Sequence, residues 1–206
     1  RVIMKKTILL LTASFSLCAS CARDESMDAI IDRVFNVAAE QSILLAEALG
    51  PEESPRAYED GRLVKDTYQW WCSGFFPGVL WQIYEYTGEE QFKTLAERET
   101  AKVEPIKYVT DHHDVGFQIN CCFGHQYRLT GDEHALDVLR TAAHSLTGEF
   151  TEVVGCIKSW PFVKEGFSWV YPVIIDNMMN LELLMVVGNM DDDMYLRHVA
   201  ISHADK

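Results

Sequence analysis

Two acidic residues stand where they could transfer protons, and Asp176 is the more informative. It follows Pro172 and precedes an apolar run with Leu181 and Leu184 at helical spacing, so a helix is expected over residues 173–187. A carboxyl group at the entrance of such a helix loses contact with water, which favours its protonated form. A proton donor that works near neutral pH needs that form. The alternative for Asp176 is an N-terminal helix cap.

The second acidic residue, Asp114, follows His112 and His113 and precedes an apolar stretch in which a helix is expected over residues 115–129. Asp114 and Asp176 therefore lie at the same end of their helices. If both helices belong to one ring, both carboxyl groups project into one mouth, which suits acid–base chemistry on a carbohydrate. No metal site is expected, because adjacent histidines diverge and no third ligand follows at helical spacing.

An aromatic segment, residues 70–81, contains two glycines and a proline and is expected to be a loop that bends into a helix. Trp71 and Phe75 are interpreted as a flat apolar wall that stacks on the C–H face of a sugar ring. Core packing is the alternative for these aromatic residues, and it is preferred for Phe76 and Trp81.

The length and net charge of the chain limit the classes of protein to which it can belong. The chain has 206 residues, of which 48% are hydrophobic, enough for one substantial globular domain. The formal net charge of −13 argues against nucleic acid as a partner, because phosphate binding needs a basic face. An anionic substrate would need local positive groups, of which Lys158 is a candidate.

Cysteine spacing gives no sign of a metal centre. The chain has six cysteines, and those beyond residue 21 form no CxxC pair, so zinc is not expected and no cofactor is predicted. Buried free thiols are the default, although an exported chain could pair some of them.

Residues 1–21 are expected to be a targeting segment outside the fold. Lys5 and Lys6 precede a short apolar run that cannot span a bilayer, a pattern typical of a secretory signal. Cys21 stands where a bacterial lipoprotein signal places its lipidated cysteine, and ordinary cleavage without lipid is the alternative. The sequence thus predicts export, either to the periplasm or to a lipid-anchored position at the bacterial outer membrane. Residues 22–206 would form a partial catalytic domain.

Helical periodicity runs through most of the remaining chain. Polar loops are expected over residues 51–69 and 151–172. Helices are expected from residue 192 onward and over residues 27–49, 77–86, 89–102, 115–129, 132–150 and 173–187.

Three junctions between these helices repeat one pattern. Gly88, Gly131 and Gly188 each follow an apolar helix and precede acidic residues, as left-handed C-caps followed by helix N-termini would. The helices before the junctions are more apolar than those after them. This alternation favours an all-α toroid of helical hairpins with buried inner helices. An open helical solenoid is the alternative.

Three segments, residues 71–81, 113–117 and 174–181, resemble the unsaturated glucuronyl hydrolases of glycoside hydrolase family 88. The resemblance extends from about Trp70 to the end of the chain. It implies an (α/α)6 toroid. It also implies hydrolysis of lyase-generated oligosaccharides, the expected partners, which carry a 4,5-unsaturated uronic acid at their non-reducing end.

The resemblance also implies residue roles. Asp176 matches the family's essential acid, which protonates C4 of the vinyl ether so that water adds at C5. Asp114 matches the second acid, and Trp71 and Phe75 match the stacking aromatic residues. Four site residues of the family's later half have no counterpart here, so the chain is expected to hold an incomplete N-terminal half of the toroid.

Two other functions remain open from the sequence. A noncatalytic carbohydrate-binding or helical scaffold protein would keep the aromatic wall, but it would not need both Asp114 and Asp176. The related unsaturated rhamnogalacturonyl hydrolases share the toroid, although residues 73–78 resemble the glucuronyl family more closely.

Overall fold

Paired helices make up most of the chain that the structure, a computed structural model, describes, namely residues 25–163 and 165–206. A π-helical turn, Asn120–Gly124, joins two of them into one continuous helix. The helices are α1 (Met27–Ala48), α2 (Phe75–Thr87), α3 (Glu90–Val103), α4 (Val115–Ile119), α5 (His125–Thr130), α6 (Glu133–Leu146), α7 (Leu181–Met190) and α8 (Met194–Ala204). Turns of 3₁₀ helix cover Glu104–Tyr108, Thr147–Glu149 and Ile175–Asn180.

Glycine caps close two of the predicted hairpin junctions. Gly88 (φ 70°) and Gly131 (φ 69°) adopt the left-handed conformation, and their N–H groups donate to the carbonyls of Tyr84 and Tyr127 at 2.8 Å. Asp132 then starts α6 by accepting the His134 backbone N–H. The prediction of left-handed caps followed by acidic helix starts is confirmed at both junctions.

The third predicted junction is wrong at Gly188. This residue lies inside α7, and Asp192 (φ 54°) adopts the left-handed conformation at the turn instead. A Cβ at position 188 would lie 2.9 Å from Arg197 Cγ and 3.2 Å from the carbonyl oxygen of Asp193. Glycine is therefore required here by the close approach of α8, and not by a C-cap.

The helices form an inner and an outer layer. The inner helices α2, α4–α5 and α7 contact one another in that order, and α3, α6 and α8 pack behind them. One apolar cluster joins α1, α2 and α3, with Leu80, Trp81 and Phe92 at its centre. A larger cluster joins α4, α6, α7 and α8, with Phe123 and Leu184 fully buried. The inner layer brings the N-terminal ends of α4 and α7 together.

Two segments predicted as loops contain small antiparallel hairpins. The larger pairs β1 (Ser54–Glu59) with β2 (Arg62–Asp66) through a turn at Asp60 and Gly61, both with positive φ. The smaller pairs β3 (Phe150–Thr151) with β4 (Cys156–Ile157). These strands are too short and polar to show a strong alternation in the sequence. The fold remains predominantly helical.

Three other expectations need correction or lie outside the described residues. The helix expected over 173–187 begins as a 3₁₀ turn and becomes α-helical only at Leu181, and α6 ends at Leu146 rather than at residue 150. The predicted signal segment, with Cys21, lies outside the described residues.

No helix in the described part is long and apolar enough to cross a membrane. The four described cysteines are free thiols.

Candidate active site

The structure brings Asp114 and Asp176 together beside the same ring nitrogen of one histidine. Nε2 of His113 lies 3.2 Å from Asp114 Oδ1 and 3.7 Å from Asp176 Oδ2. The His113 side chain is 2% exposed, whereas the Asp114 and Asp176 side chains are 22% and 39% exposed. The histidine is therefore buried, whereas both carboxyl groups are partly exposed and remain accessible to a substrate.

Neither acidic side chain is used as a helix cap. Asp114 is the N-cap residue of α4, but its side chain accepts no backbone N–H there. Asp176 lies inside the 3₁₀ turn, which has Ile174 at its N-cap, and its Oδ1 is buried without a hydrogen-bond partner in the described chain. The capping alternative for Asp176 is therefore wrong. Carboxyl oxygens left unpaired in this way are available for chemistry.

A buried relay of amides fixes the two acid-bearing elements to each other. The Phe117 backbone N–H, at the start of α4, donates to Asn180 Oδ1 at 2.9 Å. Asn180 Nδ2 donates to Asn177 Oδ1 at 3.3 Å, and Asn177 Nδ2 donates to the Ile157 carbonyl in β4 at 2.8 Å. Both asparagines are fully buried. The relay holds the turn that carries Asp176 against the helix that follows Asp114.

Close packing at Gly116 brings the same two elements together. A Cβ at this position would lie 2.5 Å from Asn180 Cβ and 2.6 Å from Asn180 Cα. Only glycine permits this approach of the α4 backbone to the 3₁₀ turn.

Ser159 ties the loop before the turn to the histidine. Its carbonyl accepts the His113 backbone N–H at 3.1 Å, and its Oγ accepts the Ile174 N–H at 3.1 Å. The Trp160 ring meets the His113 ring edge-on, with the ring centroids 6.0 Å apart. The histidine is thereby held in one orientation.

The aromatic wall lies beside the start of α4. The rings of Phe75 and Phe117 stack with centroids 5.5 Å apart, and Trp71 meets both at nearly right angles. The Trp71 side chain is among the exposed large hydrophobic groups, whereas Trp81 and Phe76 are buried in the core. Phe117, which sequence reasoning did not single out, connects Trp71 and Phe75 to the helix that follows Asp114.

The sequence did not reveal that His113 and the two acids form one cluster. Ligand-type atoms of His113, Asp114 and Asp176 all lie within 4.8 Å of one another. Helical spacing could not identify this group, because Asp176 comes from a distant turn. The expectation that no metal binds stays a prediction. Lys158, the candidate positive group, lies over the Tyr171 ring, with Nζ 5.9 Å from the ring centroid.

Burial changes the titration of several groups around the cluster. It lowers the pKa of His112, although the nearby Asp114 carboxyl opposes the change. It raises the pKa of Glu149, against the attraction of Lys158, and raises that of Tyr171 to about 12. These surroundings favour neutral forms, as expected where water is excluded.

Known proteins of similar sequence all carry hydrolase names. No protein-family model matches the chain. An unsaturated glucuronyl hydrolase from Formosa agariphila is 40% identical over 136 residues, 66% of this chain and 34% of that protein. An unsaturated chondroitin disaccharide hydrolase from Streptococcus agalactiae is 29% identical over 177 residues, 84% of this chain and 44% of that protein.

The chain is also similar in fold to solved structures of unsaturated glucuronyl hydrolases. The crystal structure of an unsaturated glucuronyl hydrolase specific for heparin matches with a TM-score of 0.80 and 36% identity. The matched region covers 86% of this chain and 47% of the heparin-specific enzyme. The enzyme from Streptococcus agalactiae matches with a TM-score of 0.75 and 28% identity, over 84% of this chain and 44% of that one. The fold is thus the predicted α/α toroid type and not an open solenoid.

This chain spans between a third and a half of the length of these relatives. By sequence and by fold, the chain is similar to the unsaturated glucuronyl hydrolases, consistent with glycoside hydrolase family 88.

Proposed function

We propose that this chain is part of an enzyme that removes a 4,5-unsaturated uronic acid from lyase-generated oligosaccharides of the glycosaminoglycan type. The observation that carries the proposal is the convergence of Asp114 and Asp176 on His113, at the entrances of neighbouring inner helices. Two carboxyl groups brought together beside one buried histidine can divide acid and base work. The hydrolase names of the relatives favour this function over a noncatalytic scaffold or a rhamnogalacturonyl hydrolase.

The proposed reaction is a hydration. Asp176 delivers its proton to C4 of the vinyl ether, and a water molecule adds its oxygen to C5 and loses a proton to base. The hemiketal formed at C5 opens to a ketone and frees the ring oxygen, and the hemiacetal left at C1 then releases the neighbouring sugar. No nucleophile attacks C1, so the separation of the carboxyl groups does not decide retention or inversion as in ordinary glycosidases.

The other residues have supporting roles in this proposal. Asp114 positions the substrate beside Asp176. Trp71 and Phe75 stack on the sugar ring. Trp71 has the open surface needed for such a contact.

The substrate class follows from the names of the relatives. The matched proteins include a chondroitin disaccharide hydrolase and a glucuronyl hydrolase specific for heparin. An unsaturated uronic acid from such polymers is anionic, while this chain has a net charge of −13. Productive binding therefore depends on local positive or hydrogen-bonding groups rather than on the overall field.

The decisive experiment replaces each acid by its amide. Asp176→Asn keeps the shape of the side chain but cannot deliver a proton, so the rate should fall about 10²–10⁴-fold. The assay follows the ultraviolet absorbance of the conjugated double bond in an unsaturated disaccharide, with protein expressed from its complete reading frame. Asp137→Asn, at an exposed position of α6, is the matched control.

Two results would contradict the assignment. Parental activity in Asp176→Asn together with loss of activity in Asp114→Asn would mean that the two roles are reversed. Parental activity in both variants would remove the proposed mechanism.

Export is a further part of the proposal. The basic and apolar pattern of residues 1–21 supports a secretory signal, and Cys21 is the proposed lipid attachment site. The enzyme would then act in the periplasm or at the outer membrane. Metabolic labelling with a fatty acid tests attachment: the label should appear in the parental protein and be absent from Cys21→Ser. An unlabelled but exported protein would leave plain cleavage as the correct alternative.

A further inference from the structure

His113 is the most deeply buried member of the group that it forms with Asp114 and Asp176. Its Nε2 faces oxygens of both carboxyl groups, at 3.2 Å and 3.7 Å. The His113 backbone N–H donates to the Ser159 carbonyl, which anchors the main chain, and the Trp160 ring packs edge-on against the imidazole. The imidazole is therefore held still between two groups that a substrate can reach.

The two ring nitrogens of His113 face different surroundings. Nδ1 is buried and has no hydrogen-bond partner among the described residues. A proton on Nε2 gains a carboxyl acceptor, whereas a proton on Nδ1 gains none. For the neutral ring, the surroundings thus favour the tautomer with its proton on Nε2. Distances slightly longer than ideal are typical of such groups before substrate binds.

Titratable groups approach His113 from several elements. Two lie on the same loop, one on the 3₁₀ turn before α7, one on the 3₁₀ turn after α6, and one on α8. They are Asp114, His112, Asp176, Glu149 and His203. Among the described residues, the two aspartates are the titratable groups in direct contact with Nε2, so they are the groups that a proton there can serve.

We propose that His113 is a positioning residue whose Nε2–H lies between Asp114 and Asp176 and fixes their separation. The inference rests on the proposed function, because it concerns how the two acids cooperate in hydration. Without the donor, two carboxyl groups whose oxygens approach within 4.8 Å lose the partner that they share and can move apart. A displacement of about 1 Å in a catalytic group can lower a rate on the order of 10²-fold.

Two substitutions separate donation from packing. His113→Phe keeps an aromatic ring and removes the donor, while His113→Gln places an amide N–H near the position of Nε2. We expect kcat of His113→Phe to fall about 10²-fold with KM little changed, and His113→Gln to recover most of the loss. His198→Phe, an exposed histidine on α8, is the matched control and should keep the parental kcat.

The rescue by glutamine gives a readout that packing alone would not change. A residue that only packs would not be rescued by an amide N–H, so recovery in His113→Gln separates donation from packing. Parental kcat in His113→Phe would overturn the inference. Equal impairment of both variants would reduce the ring to a packing role and also overturn it.

A measurement on the parental protein covers the case in which the variants do not fold. Nitrogen-15 spectra of labelled histidine report which ring nitrogen carries the proton. A proton on Nε2 of His113 supports the inference, and a proton on Nδ1 overturns it. If the parental protein does not consume unsaturated disaccharide, the proposed function fails. The nitrogen spectra then still decide whether His113 can donate to the two aspartates.

Discussion

Replacing Gly116 by alanine tests how the fold sets the distance between the two acids. The added Cβ would lie 2.5 Å from Asn180 Cβ and 2.5 Å from Asn180 Oδ1, whereas ordinary contact begins near 3.4 Å. The deficit of about 0.9 Å cannot be absorbed by a side-chain rotation, because the Asn180 Cα is also only 2.6 Å away. The start of α4 and the 3₁₀ turn must therefore separate by roughly that distance.

The structure sets the size of both effects. Overpacking of a tight contact typically costs about 1–3 kcal/mol of folding free energy. A shift of about 1 Å between the acid-bearing elements lowers the rate on the order of 10²-fold, equivalent to about 2.7 kcal/mol of transition-state stabilisation. Gly116→Ala should therefore lose stability and activity together, although residue 116 need not touch the substrate.

The assay combines urea unfolding with ultraviolet measurement of disaccharide consumption. Gly148→Ala is the matched control, because a Cβ there would meet Thr110 Cβ at 3.4 Å, an ordinary contact. Its folding free energy should stay within about 0.5 kcal/mol of the parental value, as for most surface changes. A Gly116→Ala protein as stable and active as Gly148→Ala would refute the close approach on which the site geometry depends.

Three further predictions concern titration, stacking and thiol access. Burial lowers the pKa of His203 below its ordinary 6.5. As the pH falls below that value, the unfolded chain therefore binds more protons than the folded chain. The free energy of unfolding should then fall with acidification more steeply than in His203→Asn. Urea midpoints between pH 5 and 8 measure this; identical slopes would contradict it. Trp71→Ala should raise KM up to about tenfold at little cost in stability. Trp81→Ala, in the core, should instead cost about 3–5 kcal/mol of folding free energy. Equal destabilisation of both variants would refute the assignment of Trp71 to the site and Trp81 to the core. Burial raises the pKa of Cys121 to about 11 and encloses Cys122 completely, so neither thiol should react quickly with iodoacetamide in the native protein; rapid labelling of Cys122 would contradict its burial.

Local signals explain what the sequence could predict. The caps at Gly88 and Gly131 depend on neighbouring residues, and helical periodicity is written in segments of ten to twenty residues. The same kind of signal located Asp114 before an apolar helix. These features need no knowledge of distant partners, which is why the hairpins and the acid at the start of α4 could be placed in advance.

Long-range contacts explain what the sequence did not reveal. Asn177 and Asn180 looked like polar residues in a helix, and only their bonds to Ile157 and Phe117 show that they hold the site together. Gly188 fitted a cap pattern, but the approach of α8 decides its role. A contact between elements far apart in sequence leaves no periodic signal in either of them.

The most direct test of the proposed hydration follows the double bond and the added proton together. An unsaturated glycosaminoglycan disaccharide is incubated in heavy water with protein from the complete reading frame, and the products are examined by nuclear magnetic resonance. Proton delivery to C4 predicts that the ultraviolet absorbance is lost and one solvent deuterium enters C4 before the neighbouring sugar is released. Release of the neighbouring sugar before C4 takes up deuterium would contradict the account.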